Sequence, residues 1–353
     1  MRIVITGASG NIGSALLRAL SGQGHDLVGV VRRPAGGPVG TDPVTWVRAD
    51  LTEDCAPLLR QTFRGADAVV HLAWGFQPSH DLDHLERLGV GGTRRVAEAT
   101  AASGVPHLVH LSSVGAYSPR SGPDPVRESY PTEGIPGSPY SAHKVAAERL
   151  LDRIEADHPD LVVARMRPGI VGQRSAGSAL LRYGLPALVP SFALRAVPVL
   201  PLDRALSIPM VHADDVADAL VRVLSSTAAG AFNLAAPTAI TVEHLSHALG
   251  ARHVQVPASV VRRAASLSWQ ARLQPVDPGW IDLAYHVPLL DPTRAHDVLG
   301  WEPRTDAPAV LEEVIAGMRE RAFDATAPLR PRTVARSLRR SLRVGPVARR
   351  PET

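Results

Sequence analysis

Short apolar runs and helical stripes alternate along the first half of the chain. Arg2–Thr6 (RIVIT) is apolar, rich in β-branched residues and followed by glycine, the pattern of a buried strand. Ile12–Leu20 repeats Ile, Leu and Ala at helical spacing and stops at Gly22 and Gly24. Further strands are read at Asp26–Val31, Val44–Arg48, Ala66–Leu72, His107–Ser112 and Leu161–Arg167. Helical stretches separate them, notably Thr93–Ala102 and Ser138–Glu155. This alternation predicts an α/β protein, a doubly wound parallel sheet of Rossmann type with helices on both faces.

After Gly172 the alternation weakens. Residues 173–208 are rich in Pro, Leu and Arg and show no clear period. Val211-His-Ala-Asp-Asp215 then opens a helix with an acidic first turn, and residues 238–322 alternate short elements up to a helix at Ala309–Arg321. The expected division is a dinucleotide-binding domain over 1–172, with segments near 209–236 returning to it. A smaller C-terminal substrate-binding lobe would occupy 173–322, and a basic, disordered tail 323–353. The active site is expected in the crevice between domain and lobe.

Charge changes the picture in one respect. The 353-residue chain has a net charge of +4, but residues 330–353 alone carry eight arginines and one acid, so taking this +7 from +4 leaves the body at −3. Nothing in the body suggests nucleic-acid binding. In the tail, Val334, Leu338 and Leu342 share a helical face among arginines, a pattern that fits weak peripheral contact with an anionic membrane surface. A solvated tail is the plainer reading. The apolar stretch Ala179–Pro201 is broken by Arg182, Arg195 and prolines, so no membrane span is expected. The single Cys55 excludes an intrachain disulfide, and no signal peptide is visible before the strand at Arg2, so a cytoplasmic protein is expected.

The candidate chemistry begins at Gly7-x-x-Gly10-x-x-Gly13, which joins a strand to a helix. Such a turn lets the backbone approach a pyrophosphate at the helix N-terminus. At the end of the second strand, an acid would hold the ribose 2′-hydroxyl of NAD. Here Arg32 and Arg33 stand instead and suit the 2′-phosphate of NADP, a solvated arginine pair being the plain alternative. Asp50 and Leu51, after the third strand, are candidates for the adenine end. Ser112-Ser113 ends the fifth strand, where a hydroxyl can polarise a carbonyl.

The sharpest signal is Lys144. It is the one lysine in a chain with 37 arginines, and it follows Tyr140 by four residues. Tyr and Lys at that spacing share a helix face, and the ammonium is expected to lower the phenol pKa toward neutrality. His80 and His84, with Asp81 and Asp83, have metal-like spacing but read more simply as a solvated helix start, so no metal is expected. Asp214 and Asp215 read as helix capping.

Taken in order, several segments resemble one family. They are Thr6-Gly-Ala-Ser-Gly-Asn-Ile-Gly13, Asp50-Leu51, Val70-His-Leu-Ala73, Ser112-Ser113 with Tyr117, Tyr140-x-x-x-Lys144, Arg167-Pro168, Val211-His-Ala-Asp-Asp-Val216 and Asp291-Pro-Thr-Arg294 running to Leu299-Gly-Trp-Glu-Pro303. Over about residues 2–322 the chain is similar to the extended short-chain dehydrogenases/reductases, the NAD-dependent epimerase/dehydratase family. The resemblance implies Tyr140 as general acid/base, Lys144 on the nicotinamide ribose and Ser113 on the substrate carbonyl. It implies cofactor contacts from Gly7, Ser9, Gly10, Asn11, Ile12, Gly13, Leu72, Ala73 and Pro168, and commonly a homodimer.

Three positions depart from the family pattern: Gly89 stands where Asn is usual, Ile170 where sugar-nucleotide enzymes carry Asn, and Ser207–Met210 where many carry Arg-Asp-Phe. Trp74 and Phe76 suggest an apolar substrate pocket, with ordinary packing as the alternative. The expected function is NADP- or NAD-dependent hydride transfer between nicotinamide and a small carbonyl or alcohol. The alternatives are a sugar-nucleotide epimerase or dehydratase with tightly held NAD, and a non-catalytic dinucleotide-sensing regulator.

Overall fold

A computed structural model describes residues 1–34, 42–75, 80–184 (of 182–184 the backbone only), 197–274, 276–324 and 326–330. Seven parallel strands form its central sheet. β1 (Arg2–Thr6), β2 (Asp26–Val31), β3 (Val44–Arg48), β4 (Ala68–His71), β5 (His107–Leu111) and β6 (Val162–Pro168) are joined by the strand Gly230–Leu234, which pairs with β6. From one edge the order is β3, β2, β1, β4, β5, β6 and then Gly230–Leu234. The chain reverses direction across the sheet between β1 and β4, and a dinucleotide binds at such a switch point, beyond the carboxyl ends of the strands.

The apolar runs form strands because both sheet faces are covered. Ile3, Ile5, Leu27 and Val70 pack with Leu16, Leu17 and Leu20 of α1 (Asn11–Leu20) and with Leu220 and Val223 of the helix Ala213–Leu224. On the other face Val4, Val28, Val69 and Val163 meet Phe63 of α2 (Ala56–Phe63), Val96 of the helix Gly92–Ala102 and Leu151 of the helix Pro139–Asp157. The strands lie close to their expected bounds; β4 is two residues shorter at its start and one at its end.

The remaining elements form small additions around the C-terminal half. Ile170–Gly172 pairs with Met210–His212, Ser207–Ile208 with Ile240–Thr241, and Val199–Leu202 with Arg252–Gln255. Asp214 and Asp215 do not cap their helix. His212 accepts the N–H of Asp214, while buried Asp215 accepts the N–H groups of Arg304 and Thr305. The body also extends past residue 322: Thr326 is buried, and Leu329 packs on Ala176 and Ala179. Residues 331–353 lie outside the described residues. Among those described, no helix is long and apolar enough to cross a membrane.

Candidate active site

The glycine turn is shaped by contact. Gly7 has φ +73°, which favours glycine, and a Cβ there would lie 2.7 Å from Ala73 N, so the segment Leu72–Ala73 leaving β4 presses directly on it. A Cβ on Gly13 would sit 2.4 Å from the Gly7 carbonyl oxygen. Helix α1 starts from Gly10 without a side-chain cap, so its first N–H groups are available to an anion. The turn is braced from behind. Gln173 Nε2 donates to the Asn11 carbonyl and to Asn11 Oδ1, both at 2.7 Å, and Asn11 Nδ2 donates to Val171 O at 3.2 Å. Ser9 is buried and Ile12 half-buried in the same turn. These residues fit the pyrophosphate of a dinucleotide.

At the end of β2, Arg32 Nη1 lies 4.0 Å from Asp50 Oδ2. Burial, then the charges of Arg32 and Arg330, push the Arg33 guanidinium below its usual pKa. Arginines from two chain segments therefore converge there. Burial raises the Asp50 carboxyl, but hydrogen bonds from Thr52 and the charge of Arg32 outweigh it and hold the pKa low. Leu51 packs over Gly92.

Tyr140 opens the helix Pro139–Asp157 at its second position. Ser138 caps that helix by accepting the Ser141 N–H, and Pro139 pre-sets its first turn. Lys144 follows one turn later and is 2% exposed. Its Nζ donates to the Leu111 carbonyl at 2.9 Å and stands 3.5 Å from the Trp74 ring centroid, a cation–π contact. Burial pulls the Lys144 pKa down to about 7 against the opposing pull of Glu148. Burial also pushes the Tyr140 phenol up to about 12, moderated by its hydrogen bond with Ser113. The lowering of the Tyr140 pKa expected from Lys144 is not seen here: burial raises it, and the bond with Ser113 is what opposes the rise.

The two serines divide. Ser113 Oγ bonds Tyr140 and accepts the Gly115 N–H at 3.1 Å. Ser112 Oγ donates to Glu148, which is also gripped by Arg167 through Nε (2.8 Å) and Nη2. Arg167 Nη1 reaches the Tyr117 hydroxyl at 3.0 Å, and Tyr117 donates to Asn233 Oδ1 at 2.6 Å. Pro168 follows at the end of β6, in register with Leu234. This network ties β5, β6 and the Tyr140 helix together immediately behind the site.

A second buried chain links Thr6 Oγ1 to His71 Nδ1 (2.6 Å) and His71 Nε2 to Thr93 Oγ1 (3.0 Å). The Thr93 hydroxyl gives its one proton to Gly89 O at 2.7 Å, so His71 Nε2 must donate and Nδ1 must accept from Thr6. Burial and the charge of Lys144 hold His71 down to about 3, and the ring stays neutral.

Gly89 has a steric account. It lies in a π-helical turn, Arg87–Gly91, and a Cβ there would meet Trp74 Cζ2 at 3.0 Å and Cη2 at 3.1 Å. The indole fills the space that an asparagine would need. Gly89→Asn is therefore expected to cost ~1–3 kcal/mol by overpacking and to shift Trp74 off Lys144; a melting curve with tryptophan emission checks both. Unchanged stability and emission would count against this packing.

Of the other expected site residues, Phe76 lies outside the described residues. His80 stacks on Trp269 with centroids 4.0 Å apart, and no metal-binding cluster occurs among the described residues. One neighbour of Tyr140 had no signal in the sequence. Trp280, from the helix Pro278–His286, has its ring centroid 5.0 Å from that of Tyr140.

Residues 3–235 match the model of the family described as NAD dependent epimerase/dehydratase. An uncharacterised protein of Mycobacterium tuberculosis is 29% identical over 91% of this chain, and the chain spans only 30% of that relative's length. The UDP-glucose 4-epimerase of Mycolicibacterium smegmatis is 28% identical, over 86% of this chain and 94% of its own. Among solved structures, MoeE5 in complex with UDP-glucuronic acid and NAD is similar at 25% identity and TM-score 0.66, covering 91% of this chain and 99% of its own.

Proposed function

The chain belongs to the NAD-dependent epimerase/dehydratase family, and from that premise we propose that it reduces a small carbonyl compound to an alcohol, with NADPH as the hydride donor. The observation that carries this reading is the meeting of Tyr140 with Ser113, one helical turn before Lys144. The Tyr140 phenol bonds Ser113, and burial pushes its pKa up, so the proton stays on it. A protonated phenol is an acid, which a carbonyl reduction needs as negative charge develops on oxygen. When bound, the reduced dinucleotide supplies hydride to the carbonyl carbon. Ser113 holds the carbonyl oxygen and Tyr140 protonates it, which closes the balance to an alcohol. Lys144, whose Nζ donates to Leu111 O, would meet the ribose hydroxyls. Gly7, Ser9, Gly10, Asn11, Ile12 and Gly13 would cradle the pyrophosphate, with Asp50 and Leu51 at the adenosine end and Leu72, Ala73 and Pro168 along the nicotinamide half.

The preference for NADP rests on Arg32 and Arg33. Replacing both by Ala is expected to weaken NADP binding by ~1.5–3 kcal/mol per lost charge-assisted contact. NAD binding should change little. Titration of both cofactors checks this, and equal losses would sink the assignment.

A second reading, epimerisation of a sugar nucleotide with retained NAD, is favoured by the names of the M. smegmatis relative and the MoeE5 complex. Mass spectrometry of ligand retained on purified protein, followed by assays of carbonyl reduction and of UDP-sugar isomerisation, separates the two. NADPH-dependent reduction supports the proposal; tightly held NAD with an isomeric product overturns it.

A further inference from the structure

Away from the active site, the helix Ala258–Gln270 carries an apolar stripe on its outer side. Val260, Ala264, Leu267 and Ala271 recur every three or four residues and are all exposed, so they share one helix face. Leu273 follows just beyond the helix. Leu273 (68% exposed), Leu267 (62%) and Val260 (53%) are three of the four most exposed large hydrophobic side chains among the described residues. Apolar side chains scattered singly over a surface need no explanation, but this clustering does.

The inner side of the helix is fixed. His80 stacks on Trp269, and Arg262 pairs with Asp282 of the helix Pro278–His286 at 2.6 Å. Gln274 closes the end by donating to Ala265 O at 3.1 Å and to Val276 O at 2.7 Å. The stripe is therefore held facing outward.

Charge selects what the stripe meets. Residues 244–276 contain Arg252, Arg262, Arg263 and Arg272 but no aspartate or glutamate. Arg262 is paired with Asp282, whereas Arg263 and Arg272 have no acidic partner among the described residues. Arg263 is exposed beside the stripe between Val260 and Leu267, and Arg272 stands next to Leu273. A second copy docked on this face by a two-fold axis would bring like charges together. A nucleic acid offers phosphates but no apolar layer beneath them. A bilayer of anionic lipid offers both, phosphates for the arginines and acyl chains for Val260, Leu267 and Leu273.

We propose that this face docks the protein on an anionic membrane surface, with the helix lying flat and its stripe in the headgroup layer. The basic end of the chain, Arg330–Arg350, adds attraction of the same sign. The docking does not depend on which reaction Tyr140 serves.

The test is co-sedimentation of the full chain with phosphatidylcholine vesicles, with and without phosphatidylglycerol. Binding should need the anionic lipid and weaken as salt rises. Val260→Gln combined with Leu267→Gln should lower the partition coefficient about 10-fold or more, and Arg263→Glu about 5-fold or more, with melting temperature and cofactor affinity unchanged. No binding by the wild type, or undiminished binding by either variant, overturns the proposal. So does a dimer in sedimentation velocity that the double variant abolishes, since the face then meets a second copy. Should the double variant not fold, Leu267→Cys carrying an environment-sensitive dye decides. The native Cys55 is buried, so the dye falls on position 267. A blue shift of its emission on the anionic vesicles supports docking, and unchanged emission overturns it.

Discussion

Lys144→Arg should lower kcat by ~10²–10⁴ while the far-UV circular dichroism stays that of the wild type. Arginine supplies at least as much positive charge as Lys144, so a surface or purely electrostatic role predicts nearly normal turnover. The structure leaves little room for the replacement. The ammonium lies between the Trp74 face at 3.5 Å and the Leu111 carbonyl at 2.9 Å. A planar guanidinium is wider and hydrogen-bonds as a fork, so it cannot keep both contacts and also reach a ribose. Tyr140→Phe should fall comparably, because it removes the proton that the carbonyl oxygen would take in the proposed reduction. The double variant should be little worse than Tyr140→Phe alone, since groups acting as a unit are not additive. Near-normal kcat for Lys144→Arg would remove the central support of the proposed chemistry.

Glu148→Ala should be the most damaging single change to stability, at ~3–5 kcal/mol by urea unfolding. It deletes the acceptor for both Arg167 nitrogens and for Ser112 and strands a guanidinium inside the protein. Burial raises the Glu148 pKa, but its bonds to Arg167 outweigh this, so the net shift is downward. The sign for pH follows. The pair contributes fully above the ordinary carboxylate pKa of 4.5 and loses its contribution as acid takes the pH down through the lowered folded value. Removing both charges with Glu148→Met and Arg167→Met should cost less than Glu148→Ala alone. A loss below ~1 kcal/mol for Glu148→Ala would show that solvent reaches the pair.

The sheet was legible where one strand carries its own evidence. The interiors of RIVIT and DLVGVV are apolar because both faces are covered, and β1 and β2 match their expected bounds. Gly230–Leu234 reads GAFNL, with Gly and Asn in a short run, and only its pairing with β6 makes it the seventh strand. Helix α2 was expected only as one of the helical stretches between strands, without bounds; its eight residues lack an acidic first turn to mark the start. Within the site, Tyr140, Lys144 and Ser113 were visible because their spacing is local to one helix or one strand end. Trp280 was not, because 140 residues separate it from Tyr140 and only the folded chain brings the two rings together. The Tyr140 pKa was misjudged for a related reason: a sequence shows that a lysine is near, but not that both groups are desolvated.

The fit of Trp74 into the space over Gly89 also bears on how such a site can change by single steps. Asparagine at 89 with tryptophan at 74 collides, and a small residue at 74 with glycine at 89 leaves Lys144 without its aromatic cover and opens a void. Each intermediate is worse than either end, so the two positions are epistatic, and their changes travel together or by way of a residue of middling size at 74. The order in which substitutions arrive, rather than the merit of the final pair, then decides which sequences this fold can reach.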